Sequence, residues 1–144
     1  MNITIKEILI KNAEYFLNSY KGMDIPIGHN GPHFDSDTTA RNTANLLKIY
    51  VKAYQITGDP KFLSGIDECI HTLLSNKLFP NQTAFLCRTS FGKDNTNGLI
   101  GQAWVLEALI LAGRLLDREE LLREQGEDVN EIEQKLGAIR NQRA

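Results

Sequence analysis

Two carboxylates set two positions apart, Asp35 and Asp37, are the side chains in this sequence best suited to acid–base chemistry. Hydrolysis of a sugar acetal needs one carboxyl group to protonate the leaving oxygen, and often a second to activate water or to attack. Both residues stand just before an expected helix, whose dipole favours the charged form. Capping alone also accounts for an Asp at position 37, with Asp35 then simply solvated. Nearby, His29, Asn30 and His33 lie in the same stretch. Histidine and carboxylate in one loop can hold a metal. Gly31 and Pro32, however, remove the helical geometry that would give the histidine spacing meaning. Hydrogen bonding to hydroxyl groups, or a structural role, is expected instead, with no metal and no cofactor.

A second polar segment carries Arg88, Lys93, Asp94, Asn97, Gln102 and Trp104, and Arg41 follows the first. A guanidinium binds a carboxylate in a bidentate manner, so Arg41 and Arg88 suit an acidic ligand. An Arg–Asp pair that merely ties the loops together is the alternative. Trp104, with Phe34 and Phe91, offers a flat apolar face for stacking, though a Trp in so apolar a helix is equally a core residue. Asn97 and Gln102 are candidate hydroxyl binders, and Asn97 doubles as a helix cap.

Composition narrows the class. The chain has 144 residues, 42% hydrophobic and 24% charged, with a net charge of −2. These are values for a globular domain, and no basic excess points to nucleic acid. No uninterrupted apolar run reaches the roughly 18–20 residues of a membrane span. Lys6, Glu7, Lys11 and Glu14 break up what would be the apolar core of a signal peptide. A cytoplasmic protein with no membrane partner is expected, and its cysteines, Cys69 on an apolar helix face and Cys87 in a loop, are expected to be free thiols. Asn2-Ile3-Thr4 and Asn81-Gln82-Thr83 match the glycosylation pattern by chance on that reading. The sequence has no phosphate-binding glycine loop, zinc-type cysteine pair or Gly-x-Ser-x-Gly elbow.

Helices must position these residues. Ile5, Ile8, Leu9, Ala13, Phe16, Leu17 and Tyr20 make one stripe at helical period over 3–20. Gly22, Pro26, Gly28, Gly31 and Pro32 force a long loop to about Ser36. A second helix, capped by Ser36 or Asp37, carries Leu46, Leu47, Tyr50, Val51, Ala53 and Tyr54. It stops at Thr57-Gly58-Asp59-Pro60, where Gly58 suits a left-handed cap, Asp59 caps the next helix and Pro60 fits its first turn. So tight a turn makes the helices antiparallel neighbours. The third helix spans 61–76, with Phe62, Leu63, Ile66, Ile70, Leu73 and Leu74 inward. A loop over 77–97 follows, packed onto the body by Phe79, Phe85, Leu86 and Phe91, with a short extended pair near 84–88. The fourth helix, 98–116, is apolar nearly all round, which marks a central helix. Another tight turn at Leu116-Asp117 then starts a fifth. Long loop, helix, tight turn at an Asp and helix thus recur, from Asp59 to Asp117, as in a helical-hairpin array. The charged tail has Val129, Ile132, Leu136 and Ile139 as a short coiled-coil-like seam.

The segments Gly28-His29-Asn30-Gly31-Pro32-His33-Phe34-Asp35-Ser36-Asp37-Thr38-Thr39-Ala40-Arg41-Asn42-Thr43 and Lys93-Asp94-Asn95-Thr96-Asn97-Gly98-Leu99-Ile100-Gly101-Gln102-Ala103-Trp104, with the turn at Gly58, resemble the six-hairpin glycosidase-like superfamily of (α/α) toroids. The likeness spans about residues 5–120. Hydrolases, unsaturated-uronide hydrolases, sugar epimerases and lyases share that organisation. The resemblance implies a funnel lined by the N-terminal ends of the inner helices, with a saccharide or uronate as ligand. It implies a carbohydrate-active protein, glycoside hydrolase-like or uronide-processing, with Asp35 and Asp37 as its acid–base carboxylates. A closed toroid needs well over twice this length, and the tail is unlike a toroid repeat. The expected architecture is therefore all-α: antiparallel hairpins forming part of a toroid over 1–120, and a charged helical tail over 121–144. A non-catalytic helical interaction protein, burying its open side against a partner or a second copy, is the alternative of a different class. Self-association is expected under both.

Overall fold

The computed structural model describes residues 2–19, 39–88, 92, 94–125, 134 and 137–139. These residues form four helices: α1 Ile5–Ser19, α2 Thr39–Thr57, α3 Lys61–Leu73 and α4 Gly98–Gln125. Among the described residues there is no strand, and the protein is all-α. It divides into two compact units, Met1–Ala112 and Gly113–Ala144. The first holds α1, α2, α3 and the start of α4. The tail seam falls mostly outside the described residues.

α1 opens on a reciprocal cap. The Glu7 amide donates to Thr4 Oγ1 at 3.2 Å, and the Thr4 amide donates to Glu7 Oε2 at 2.7 Å. Its inner stripe is Leu9, Ala13, Phe16 and Leu17, of which Ala13 is fully buried. Ile5 and Ile8, expected inside, are 86% and 51% exposed. Their spacing is helical, but the stripe gains neighbours only from Leu9 onward.

The α2–α3 turn forms as its residues dictate. Gly58 adopts φ 66° and donates to the Tyr54 carbonyl at 2.8 Å. Asp59 Oδ1 accepts the Lys61 amide at 3.0 Å. The two helices pack antiparallel, with Leu47, Val51, Phe62, Ile66 and Leu73 fully buried. Gly65 lets them approach: a Cβ there would stand 2.8 Å from two ring carbons of Tyr50. Cys69 belongs to this core, and burial, followed by the neighbouring Glu68, pushes its thiol pKa up to about 12. α3 ends at Leu73 rather than at 76. Ser75 Oγ donates to the Thr72 carbonyl at 2.7 Å and draws the chain out of the helix, and Leu74 is exposed.

α4 departs from expectation in two ways. No turn forms at Leu116–Asp117, and the helix continues to Gln125. Arg114 to Glu120 contains neither Gly nor Pro, so an Asp without a breaker does not end it. The tight turn at an Asp therefore does not recur among the described residues. Nor is α4 enclosed on all sides. Gly101, Val105, Ala108 and Ala112 are buried, whereas Leu99 (86%), Ile100 (58%), Leu106 (49%) and Ile110 (54%) are exposed. By length and composition, Gly98–Glu124 is also able to cross a membrane, since it holds an 18-residue window with a mean hydropathy of 1.6. Gln102, Glu107 and Arg114 shorten its uninterrupted runs, but the average over that window stays high.

Gly65 and Gly113 separate packing from propensity. Gly65→Ala should lower stability by about 1–3 kcal/mol through overpacking against Tyr50. Gly113 has open space around its missing Cβ, so Gly113→Ala should raise stability by about 0.5–1 kcal/mol through helix propensity alone. Urea unfolding of both variants measures the pair, and equal losses would contradict it.

Candidate functional site

The site is built where the loop after α3 meets the first turns of α4. Phe85 turns inward, stacks on Phe79 with ring centroids 4.4 Å apart, and is 4% exposed. Its backbone has no strand partner. Gln102 serves instead: its Oε1 accepts the Phe85 amide at 2.8 Å, and its Nε2 donates to the Phe85 carbonyl and the Thr96 carbonyl at 2.9 Å each. Cys87 Sγ lies 3.7 Å from the same nitrogen. One side-chain amide thus ties two points of the loop to α4. The adjacent Gly101 makes room, since a Cβ there would stand 2.7 Å from the Thr96 carbonyl and 3.2 Å from Cys87 Cβ.

The expected extended pair near 84–88 is not a pair of strands. The Leu86 amide donates to the Leu78 carbonyl at 2.8 Å, and the Cys87 and Arg88 amides both donate to the Asn95 carbonyl, at 2.8 and 3.0 Å. Extended backbone is held there by loop carbonyls on either side.

Asp94 prepares the start of α4. Its Oδ1 accepts the Thr96 amide at 3.0 Å and the Thr96 hydroxyl at 2.8 Å, and its Oδ2 accepts the Gly98 amide at 2.9 Å. The Thr96 hydroxyl, then the Thr96 and Gly98 amides, hold its carboxyl below the ordinary carboxylate range, and Arg88 acts in the same direction. Asp94, rather than Asn97, is therefore the side chain that caps the α4 entrance. Asn97 contributes its backbone, at φ 54°, with its carbonyl accepting the Gly101 amide at 3.2 Å.

α2 reaches this loop through Arg41. Its guanidinium lies 5.5 Å from the centre of the Trp104 ring, a cation–π contact. Burial pushes the Cys87 thiol pKa up, while the Arg41 charge pulls it down and Asp94 pushes it up. Farther along, Lys48 of α2 pairs with Glu107 of α4. Arg41 and Lys48 of α2 thus each reach a residue of α4, Trp104 and Glu107. The loop is held against the first turns of α4 by Gln102.

Arg41, Cys87, Arg88, Asp94 and Trp104 come together here. Trp104 is half-buried with Arg41 on its ring, neither a fully enclosed core residue nor a bare platform. Gln102 and Asp94 are committed to the loop and hold it in place. Arg88 Nε is buried and, among the described residues, has no hydrogen-bond partner. His29, Asn30, His33, Asp35 and Asp37 lie outside the described residues. Sequence reading missed Cys87, Phe85, Thr96 and Gly101 as parts of this cluster. The one available signal was the small residue beside Gln102, where a loop can approach a helix closely.

No family model matches the chain, and no solved structure matches it. The chain is similar to Archaeal glycosylation protein Q of Haloferax volcanii. The two are 39% identical over 117 residues, which make up 81% of this chain and 32% of the relative. The chain thus spans about a third of the length of the curated relative it matches.

The state of Asp94 sets how the loop responds to acid. Its folded pKa is depressed, so the stability it contributes is complete above the ordinary carboxylate value of about 3.9 and is lost as pH falls through the lower folded value. In thermal unfolding, Asp94→Asn should be less stable than wild type at neutral pH, and the gap should close on acidification below that range. A gap that stays constant with pH would show that the charge on Asp94 is immaterial.

Proposed function

We propose that this protein acts on carbohydrate, as a glycoside hydrolase-like or uronide-processing member of the six-hairpin (α/α) toroids. The observation that carries this reading is the meeting of Arg41, from the start of α2, with Trp104 and the Arg88–Asp94 loop at the start of α4. In such a funnel Arg41 of α2 and Trp104 of α4 would meet as they do here. The similarity to a protein named for glycosylation supports a saccharide-related role.

The charges favour an acidic sugar. Arg41 and Arg88 bring two guanidinium groups to one place. Asp94, the carboxylate beside Arg88, has both oxygens engaged by Thr96 and Gly98. A ligand carboxylate would meet the buried Arg88 Nε and gain a charge-assisted bond. Trp104 offers the remaining part of its ring to the sugar face. Asp35 would donate or accept the proton at the glycosidic bond and Asp37 would assist it, with His29, Asn30 and His33 on the hydroxyls. Gln102 and Asn97, first read as hydroxyl binders, would act by shaping the loop. The second reading, a helical interaction protein, is favoured by one observation, the exposed apolar stripe of α4.

Thermal shift against a panel of neutral and uronate oligosaccharides tests the reading. A uronate ligand at a hundred times its Kd should stabilise the protein by about 2.7 kcal/mol, and neutral sugars of equal length should do less. Arg88→Ala should abolish the difference between the two sets. Asp37→Asn should keep the fold and the binding but lose turnover. A shift that is the same in wild type and Arg88→Ala would remove the arginines from the site.

A further inference from the structure

The ring of Trp104 is not presented bare. The Arg41 guanidinium lies 5.5 Å from its centre, and both residues are partly buried. A sugar that stacks on an aromatic ring and a cation that covers the ring compete for the same surface. The Arg41 charge also acts on the Cys87 thiol, so it stands close to the loop as well as to the ring. The next residue in that loop, Arg88, keeps a buried Nε that has no hydrogen-bond partner among the described residues. The group that covers the ring is thus itself a carboxylate binder by type, beside the place where an acidic ligand would enter.

Resting on the acidic-sugar reading, we infer that Arg41 is the residue that selects acidic over neutral sugars, because it covers part of the Trp104 ring until a ligand carboxylate draws it off. Two interactions compete for the guanidinium. A cation–π contact shifts an equilibrium by about two- to thirtyfold, from exposed to desolvated sites. Hydrogen bonds from a charged group such as guanidinium to a carboxylate shift it by roughly ten- to a hundredfold. A uronate therefore gains more from the guanidinium than the ring loses, and the uncovered ring then receives the sugar face. A neutral sugar must displace the same cation and offers it no charge in return. Discrimination of this kind comes from a penalty on the wrong ligand as much as from a contact to the right one. Arg41 is then a specificity-determining residue, and its removal should improve the binding of the disfavoured ligand.

Trp104 is the one tryptophan of the chain, so its fluorescence reports on this ring alone. The probes are a glucuronate-ended disaccharide and the matching glucose-ended one, which differ only in the carboxylate. Wild type should bind the uronate about tenfold more tightly or better, and Trp104 emission should shift as the cation leaves the ring. Arg41→Ala should bind the glucose-ended sugar about threefold more tightly than wild type does, while its affinity for the uronate falls. Arg41→Met keeps a long chain over the ring without the charge, and it should bind both sugars weakly. Circular dichroism checks that each variant is folded, and the methionine variant carries the test of the charge if the alanine variant is not. A folded Arg41→Ala that binds the glucose-ended sugar no better than wild type would overturn the proposal, and so would Arg41→Met retaining the full preference for the uronate. Trp104 emission unmoved at saturating uronate would do the same. Each of these results leaves the acidic-sugar reading standing, whereas a wild type that does not bind the uronate would overturn both.

Discussion

The side-chain amide of Gln102 is the contact on which the candidate site depends. Phe85 is drawn inside by its ring, and a buried peptide unit must find a donor and an acceptor. No strand supplies them. Gln102 carries both on one planar group and satisfies the amide and the carbonyl of Phe85 together, while its second hydrogen reaches Thr96. Once these bonds are made, Asn95 lies against Cys87 and Arg88, and Asp94 is set to cap α4. The absence of a side chain at Gly101 is what lets the loop come so close to the helix. Arg88 therefore owes its place to a residue that touches it nowhere.

Local rules were legible in the sequence where one residue type has one physical consequence. Gly58, Asp59 and Pro60 specify a helix–helix turn through backbone freedom, capping and a fixed φ, and the turn forms with those roles. The apolar periods of α2 and α3 reveal the faces that pack. The inward packing of Phe85 was legible for the same reason. Periodicity names a face but not whether a neighbour covers it, and so Ile5, Ile8 and the outer stripe of α4 were read as core. An Asp at 117 resembles the Asp at 59, yet without a glycine before it the helix simply continues. The role of Gln102 joins positions far apart in the chain and leaves no local pattern. Asp94 and Asn97 are both plausible caps by type, and only the loop geometry separates them.

The functional reading joins an arrangement of charge to the fold. Arg41 from α2 and Arg88 from the loop come near Asp94, whose oxygens are engaged by Thr96 and Gly98. Arg88 Nε stays buried there and, among the described residues, has no hydrogen-bond partner. Under the proposed function, that nitrogen is what an acidic ligand would meet. α4 has one buried stripe, Gly101, Val105, Ala108 and Ala112, and exposed apolar residues on its other side. The same helix thus positions the site through its buried face.

Amide hydrogen exchange on Gln102→Ala, compared with wild type, tests the clamp most directly. Protection should fall at Phe85, Cys87, Arg88 and Gly98, whose amides depend on the closed loop, while the buried turns of α2 and α3 keep theirs. Unchanged exchange at those four amides would contradict the central claim, because the loop would then hold its shape without the glutamine.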